Sequence, residues 1–134
     1  MRILGINCLN HDAAVSVIEN GKILFAAHSE RYSRKKNDML LNNDIIQEAL
    51  SYGEPNKIAY ERPWIKKTRQ LYAGQYNEVF NLNNLPNKYL KPWFKNQKIN
   101  YIDHHLSHAA AGYYTSPYKE AAILVIDGIG EWDV

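Results

Sequence analysis

Three histidines fall within five residues, and their spacing predicts a metal site. They are His104, His105 and His108, in a segment that begins at Asp103. Side chains four positions apart share one face of a helix, so His104 and His108 can bind one ion. His105 points about 100° around the helix axis from His104, so it does not share that face. The positive helix start would keep His104 neutral, as a ligand must be. A polar helix face with a hydrogen-bonded histidine is the alternative.

Asp127 offers a carboxylate ligand. It follows the apolar run 121–126, which predicts a buried strand, and it precedes Gly128 and Gly130. A carboxylate at the carboxyl end of such a strand faces the ligand crevice of an α/β sheet. The glycines would let the backbone approach a phosphate closely, although a simple Asp-Gly turn explains the same residues. With the two histidines, the carboxylate completes a set that suits Fe(II), Mn or Zn.

Two further polar segments could bind an anion. In residues 7–12 a tight turn between strands can hold phosphate, and His11, followed by Asp12, could act as an acid or base near neutral pH. An ordinary capped turn explains this segment equally well. The second segment, residues 30–38, could bind an anionic substrate or could be a solvated basic loop. Its cations are Arg31, Arg34, Lys35 and Lys36.

An α/β arrangement with a mixed sheet is expected to position these residues. Alternating or continuous apolar residues predict strands, and the Asn20-Gly21 pair predicts a type I′ hairpin turn. The first three strands therefore form an antiparallel meander. The predicted strands are 2–9, 13–18, 22–28, 57–60, 99–102 and 121–126.

Two helices are predicted from caps and apolar spacing. Asp44 can cap a helix whose apolar positions begin at Ile45 and which ends before Gly53. Asp103 can cap a second helix from about His104 to Tyr114. Its buried stripe is expected to contain Leu106, Ala109, Ala110 and Tyr113.

Residues 62–98 have no clear period and carry eight Lys or Arg against the single acid Glu78. Seven aromatic residues are interspersed, so we expect an irregular excursion with one or two short helices around residues 64–80. The alternative is a non-catalytic binding module that uses this stretch to bind single-stranded nucleic acid by stacking and charge. Irregular aromatic segments are more often packed excursions, which makes nucleic acid the less favoured partner.

Composition limits the remaining possibilities. A chain of 134 residues with 46% hydrophobic residues suits one domain. The only cysteine, Cys8, excludes an internal disulfide and favours a reducing compartment, so a cytoplasmic location is expected. No apolar run approaches the ~18–20 residues of a membrane span. The sequence stops soon after a predicted core strand, which suggests a gene fragment or a split subunit.

Four blocks, in this order, resemble the N-terminal part of the NodU/CmcH-type O-carbamoyltransferases, the family of tobramycin, cephamycin and nodulation-factor carbamoyltransferases. The blocks are residues 5–14, 29–38, 103–110 and 126–132. The resemblance implies the first lobe of an actin-like ATPase (ribonuclease H-like) fold, without the second lobe and the C-terminal domain. It also implies that carbamoyl phosphate and ATP form carbamoyl-adenylate, whose carbamoyl group passes to a hydroxyl of a sugar or antibiotic-like acceptor.

The resemblance assigns metal and nucleotide roles. His104 and His108 match the family's metal-binding histidines, and Asp127 matches its first metal-binding aspartate. Fe(II) is the implied metal. Gly128 and Gly130 fall where the nucleotide phosphate loop of the second lobe begins.

The resemblance also assigns substrate roles. Lys36 matches the lysine that holds carbamoyl phosphate, and Arg34 and Asp12 lie in the matching blocks and are expected to assist it. His11 matches the histidine near the carbamoyl transfer chemistry. A second lobe, or a complementary chain that supplies it, is the implied partner.

Overall fold

A computed structural model describes residues 1–95 and 97–128, and it shows an α/β fold with a five-stranded mixed sheet. The strand order is β3-β2-β1-β4-β5. The pairs β1–β2 and β2–β3 are antiparallel, whereas β1–β4 and β4–β5 are parallel. The strands are β1 (Arg2–Asn7), β2 (Ala14–Glu19), β3 (Lys22–His28), β4 (Lys57–Glu61) and β5 (Ile99–Ile102). The mixed sheet and the three-strand meander are therefore confirmed.

The meander turns at Asn20-Gly21 as the sequence predicts. Both residues have positive φ, 49° and 81°, which is the backbone that a type I′ turn requires. Glycine accepts this conformation without steric cost, and asparagine tolerates it better than most residues. The turn therefore sets the pairing of Glu19 with Lys22 and of Ile18 with Ile23, and beyond these pairs the register shifts by one residue.

Short helices connect and flank the strands. Asn42 caps α2, since its Oδ1 accepts a hydrogen bond from the Ile45 N–H at 3.0 Å. The predicted cap at Asp44 is wrong, because the helix begins one residue before it. Segment 30–38, expected to be a loop, begins with one helical turn. The helices are α1 (Glu30–Ser33), α2 (Asn43–Ser51), α3 (Pro63–Tyr72), α4 (Tyr76–Phe80), α5 (Pro86–Tyr89) and α6 (His104–Tyr114), with a 3₁₀ turn at Leu82–Asn84.

The two faces of the sheet differ in side-chain size. One face carries large apolar side chains and is covered by α2, whose Ile45 and Ile46 are fully buried. The other face carries small residues, since Gly5 is paired with Ser16 on β2 and with Ala59 on β4. A Cβ at Gly5 would approach the Ser16 Oγ to 2.7 Å, so any larger residue here would force the Ser16 hydroxyl to move. The small residues leave a cleft on this face.

The predicted buried strand at 121–126 is wrong. These residues have no regular secondary structure, and Leu124 and Ile126 are each 84% exposed. A continuous apolar strand is stable only when both of its faces are covered. None of the described backbone hydrogen bonds joins 121–126 to another segment, and of these six residues only Val125 is half-buried.

Helix α6 also differs from the expectation. Leu106 is 60% exposed, the other three predicted stripe residues are at most half-buried, and no residue of this helix is fully buried. No described element packs over the Leu106 side. Asp103 occupies the N-cap position, but its carboxylate pairs with Arg62 at 2.7 Å instead of accepting from the helix N–H groups.

The described residues contain no helix that is long and apolar enough to cross a membrane. One or two short helices were expected around 64–80, and two are present, α3 and α4. Their hydrophobic period is obscured because α3 buries four polar side chains. These are Lys66, Lys67, Arg69 and Gln70.

Cys8 is completely buried, and its Sγ lies 3.3 Å from the Tyr60 hydroxyl. Burial raises the pKa of this thiol to about 11. Because the thiolate is the reactive form, we expect the native chain to resist iodoacetamide at pH 8 and the urea-unfolded chain to react fully. Mass spectrometry measures the modified fraction. The exposed cysteine of Ser51→Cys is the matched control, and equal rates at both thiols would contradict the burial.

Candidate metal centre

Three potential ligand side chains converge at the start of α6. His104 and His108 lie one helical turn apart, with their Nε2 atoms 3.1 Å from each other. The Asp127 Oδ2 contacts His104 Nε2 and lies 3.7 Å from His108 Nε2. The three ligand atoms all lie within 4.8 Å of one another. Residues 23 positions apart in sequence thus meet, as the predicted ligand set requires, although 121–126 is not the strand that was expected to carry Asp127.

The donor set fits a divalent cation. When both imidazoles present their Nε2 lone pairs, a divalent cation can bind all three atoms at once, whereas one proton can bridge only two of them. Two imidazoles and one carboxylate are a known set for transition metals with open positions. His105 is not part of the cluster, and its buried Nε2 makes no hydrogen bond to any described residue.

The electrostatics favour the ligating forms of both residue types. Burial, assisted by Arg69 and His108, lowers the pKa of His104 and outweighs the hydrogen bond with Asp127, which raises it. Burial alone raises the pKa of Asp127. The hydrogen bonds that its carboxylate makes with His104 and with the Gly128 N–H outweigh burial and hold that pKa below its usual range. Neutral imidazole and ionised carboxylate are the forms that bind metal.

Glu61 is a site residue that the sequence analysis missed. Its Oε1 lies 3.2 Å from His104 Nδ1, on the side of the ring opposite the cluster. Parallel pairing places Glu61 beside Ile102, two residues before His104. The predicted strand ends at Tyr60, one residue short of this carboxylate. The rule that parallel strands end at one sheet edge could have found it.

Two buried cations surround Glu61. Lys66 Nζ lies 3.3 Å from its Oε2, and Arg69 contacts its Oε1. The side chains of Lys66 and Arg69 are each only 5% exposed, and that of Glu61 is 10% exposed. Lys66 also donates to Asn7 Oδ1 at 3.0 Å, which links the network to β1. Burial lowers the pKa of Lys66 to about 8.

Lys67 faces the interior of the excursion. Its ammonium donates to the backbone carbonyls of Glu78, Val79 and Asn81 at 2.7, 3.0 and 3.2 Å. It therefore satisfies carbonyls at the end of α4, where cations are favoured. Three of the eight cations in 62–98, Lys66, Lys67 and Arg69, are thus buried and cannot contact a nucleic acid backbone.

The cluster opens into the cleft on the small-residue face, which has a volume of about 910 Å³. His11 and Gly128 line the same cleft. His11 Nδ1 lies 3.0 Å from Asp12 Oδ2. The structure therefore brings the expected acid–base histidine and the three expected metal ligands into one space.

Helix α3 fixes the loop that carries His11. Gln70 donates to the Leu9 carbonyl, and Gln75, just after the helix, donates to the Asn10 carbonyl at 3.2 Å. Leu9 and Asp12 have positive φ of 69° and 44°, an unusual backbone for these residues. The excursion therefore contributes directly to the shape of the cleft.

The remaining expected substrate residues lie outside the cleft. Lys36 and Arg34 are exposed and do not line it, and Asp12 reaches it only through His11. The basic loop nevertheless lies next to the His11 loop, since the Ala13 N–H donates to the Asp38 carbonyl at 2.7 Å. Gly130 lies outside the described residues.

Lys67→Met is expected to destabilise the fold by about 2 kcal/mol, since it leaves backbone carbonyls without a donor. Urea unfolding followed by circular dichroism measures the effect. Lys95→Met, which removes an exposed ammonium, is the control and should change stability little. Equal stability of the two variants would show that the carbonyl contacts contribute nothing.

The sequence matches a family described as Carbamoyltransferase N-terminus over residues 2–60 and 59–134. An uncharacterised protein of Synechocystis sp. is 29% identical over 164 residues, which cover 97% of this chain and 26% of that protein. An uncharacterised protein of Methanocaldococcus jannaschii is 32% identical over 129 residues, covering 96% of this chain and 22% of the relative. Nodulation protein NolNO of Sinorhizobium fredii is 28% identical over 150 residues, which cover 94% of this chain and 21% of that protein.

The chain thus spans between 21% and 26% of the length of these relatives. The family match extends over nearly every residue of the chain, including those that form the cleft and the cluster. The chain therefore belongs to the carbamoyltransferase family, whose N-terminal domain it matches.

Proposed function

We propose that this chain supplies the metal-binding N-terminal part of an ATP-dependent O-carbamoyltransferase. The observation that carries the proposal is the convergence of His104, His108 and Asp127 in the cleft that also contains His11. Family membership supports carbamoyl transfer as the reaction class. Carbamoyl phosphate would supply the carbamoyl group and ATP the adenylyl group of carbamoyl-adenylate, with release of phosphate and pyrophosphate. The carbamoyl group would then pass to a hydroxyl of a sugar or antibiotic-like acceptor, with release of AMP.

The two histidines and Asp127 would hold the metal. We propose Fe(II), which the donor set suits. When bound, such a cation withdraws charge from nucleotide phosphates and orients them. Gly128 and Gly130 would approach the same phosphates through their backbone, since neither has a side chain in the way.

His11 would take the proton from the acceptor hydroxyl. Its side chain is 68% exposed, so a substrate in the cleft can reach it, and Asp12 orients the ring. Lys36 and Arg34 would offset the charge of carbamoyl phosphate from the neighbouring basic loop. This role requires that loop to move inward or the substrate to extend to it, because neither cation lines the cleft.

We further propose that the fold is the first lobe of an actin-like ATPase. The antiparallel meander continued by parallel strands is compatible with that lobe. The nucleotide would then lie between this lobe and a second one, which the remaining length of the family proteins or a complementary chain would supply. Nucleic acid binding through 62–98 receives no comparable support, since three of its cations are buried.

His104→Ala and His108→Ala are expected to weaken metal binding by more than the roughly 10–100-fold that loss of a partner outside the ligand set causes. Calorimetric titration with Zn²⁺ or Co²⁺, and with Fe²⁺ under anaerobic conditions, measures the affinity. His105→Ala is the matched control, because it lies on the same helix outside the cluster. Equal losses from all three variants would contradict the assignment.

The 134-residue chain alone is expected to release no pyrophosphate from ATP and carbamoyl phosphate. The physical reason is that one wall of a cleft cannot exclude water or hold a nucleotide between two lobes. Pyrophosphate release is measured with a coupled assay, and a family-length relative serves as the positive control. Turnover by the isolated chain would refute the two-lobe proposal.

A further inference from the structure

We propose that Glu61 is the positioning residue of the metal centre: it accepts the Nδ1 proton of His104 and thereby presents the Nε2 lone pair to the cation. This inference rests on the proposed metal-binding function and adds a residue that acts through a ligand. The two nitrogens of the His104 ring face opposite environments. Nδ1 lies 3.2 Å from Glu61 Oε1, whereas Nε2 faces His108 and Asp127.

The tautomer of His104 decides whether it can be a ligand. A neutral imidazole carries one proton, on one of its two nitrogens. A proton on Nε2 would occupy the position that a cation needs, while a proton on Nδ1 leaves that lone pair free. A carboxylate beside Nδ1 selects the second form, as carboxylate partners of ligating histidines do in metalloproteins.

Glu61 is held more firmly than Asp127, its competitor for the ring proton. Its side chain is 10% exposed and is fixed from two sides by contacts with Lys66 and Arg69, which hold its orientation. Asp127 is 29% exposed and lies in a segment without regular secondary structure, where water competes for its oxygens. A hydrogen bond from His104 Nδ1 to Glu61 would form in the drier environment and would therefore be the stronger of the two.

Charge balance does not require the contact with His104. Lys66 and Arg69 together already exceed the single charge of Glu61, so the ring N–H is a third, neutral donor. The contact follows from the parallel register, which places Glu61 at the same sheet edge as the start of α6. The chemical consequence of this register is that Glu61 holds the His104 ring in one orientation.

The tautomer can be measured directly on the metal-free chain. Long-range ¹H–¹⁵N correlation spectra of the wild type, recorded above the titration range of free imidazole, are expected to show His104 protonated at Nδ1. After addition of Zn²⁺, a diamagnetic probe, the Nδ1 proton should remain and the Nε2 resonance should shift. A metal-free ring protonated at Nε2, or Zn²⁺ bound through Nδ1, would overturn the proposal.

Substitution provides a second readout. Glu61→Gln keeps the size but leaves one acceptor oxygen for three donors, and it is expected to reduce Zn²⁺ affinity about 10–100-fold. Glu61→Asp keeps the charge with a shorter reach and should lose less, which also covers the case in which the glutamine variant does not fold. Glu19→Gln, which breaks a surface pair with Arg2 at 2.9 Å, is the matched control and should leave affinity unchanged.

The two readouts separate this inference from the proposed function. Normal Zn²⁺ affinity in Glu61→Gln, with wild-type affinity dependent on His104 and His108, would refute the role of Glu61 alone. A wild type that shows the Nδ1 proton but does not bind Zn²⁺, Co²⁺ or Fe²⁺ would refute the metal centre while the Glu61–His104 contact stands. Loss of affinity together with loss of the Nδ1 proton in Glu61→Gln would support both.

Discussion

The parallel pairing of β4 with β5 is the constraint on which the candidate site depends. It brings the last residue of one strand, Glu61, to the same sheet edge at which the chain leaves the other strand and begins α6. A shift of one residue in this register would turn the carboxylate to the opposite face of the sheet. The His104 ring would then lose its contact with Glu61. His108 and Asp127 would no longer face a ring held in one orientation.

Helix α3 is the second element that positions the site. It is unusual because its buried side is polar. Its buried side bears Lys66, Lys67, Arg69 and Gln70, and each of the four has an identified acceptor. Burial of a cation is tolerated only where carboxylates or carbonyls compensate the lost hydration. The helix therefore specifies its position through polar contacts, and these contacts join the sheet edge, the His11 loop and α4.

The sequence was sufficient where local rules act. Alternation and Asn20-Gly21 predict the meander, and a separation of four predicts that His104 and His108 share a face. It was insufficient where distant partners decide the outcome. Because lysine is normally a surface residue, its presence on the buried side hid the period of α3. Apolar composition could not show that the run 121–126 pairs with no strand in the described structure. Glu61 lies outside the predicted strand because apolar patterning does not extend a strand over a polar last residue.

The exposure of run 121–126 has a thermodynamic consequence for Asp127, which follows it. Ordering an unsupported segment costs conformational entropy, and a ligand that needs the segment in place bears that cost in its apparent affinity. Any surface that sheltered these apolar side chains would remove part of the cost. Covering the apolar run and binding of a cation at the metal centre are therefore coupled. Each event makes the other more favourable by the same free energy.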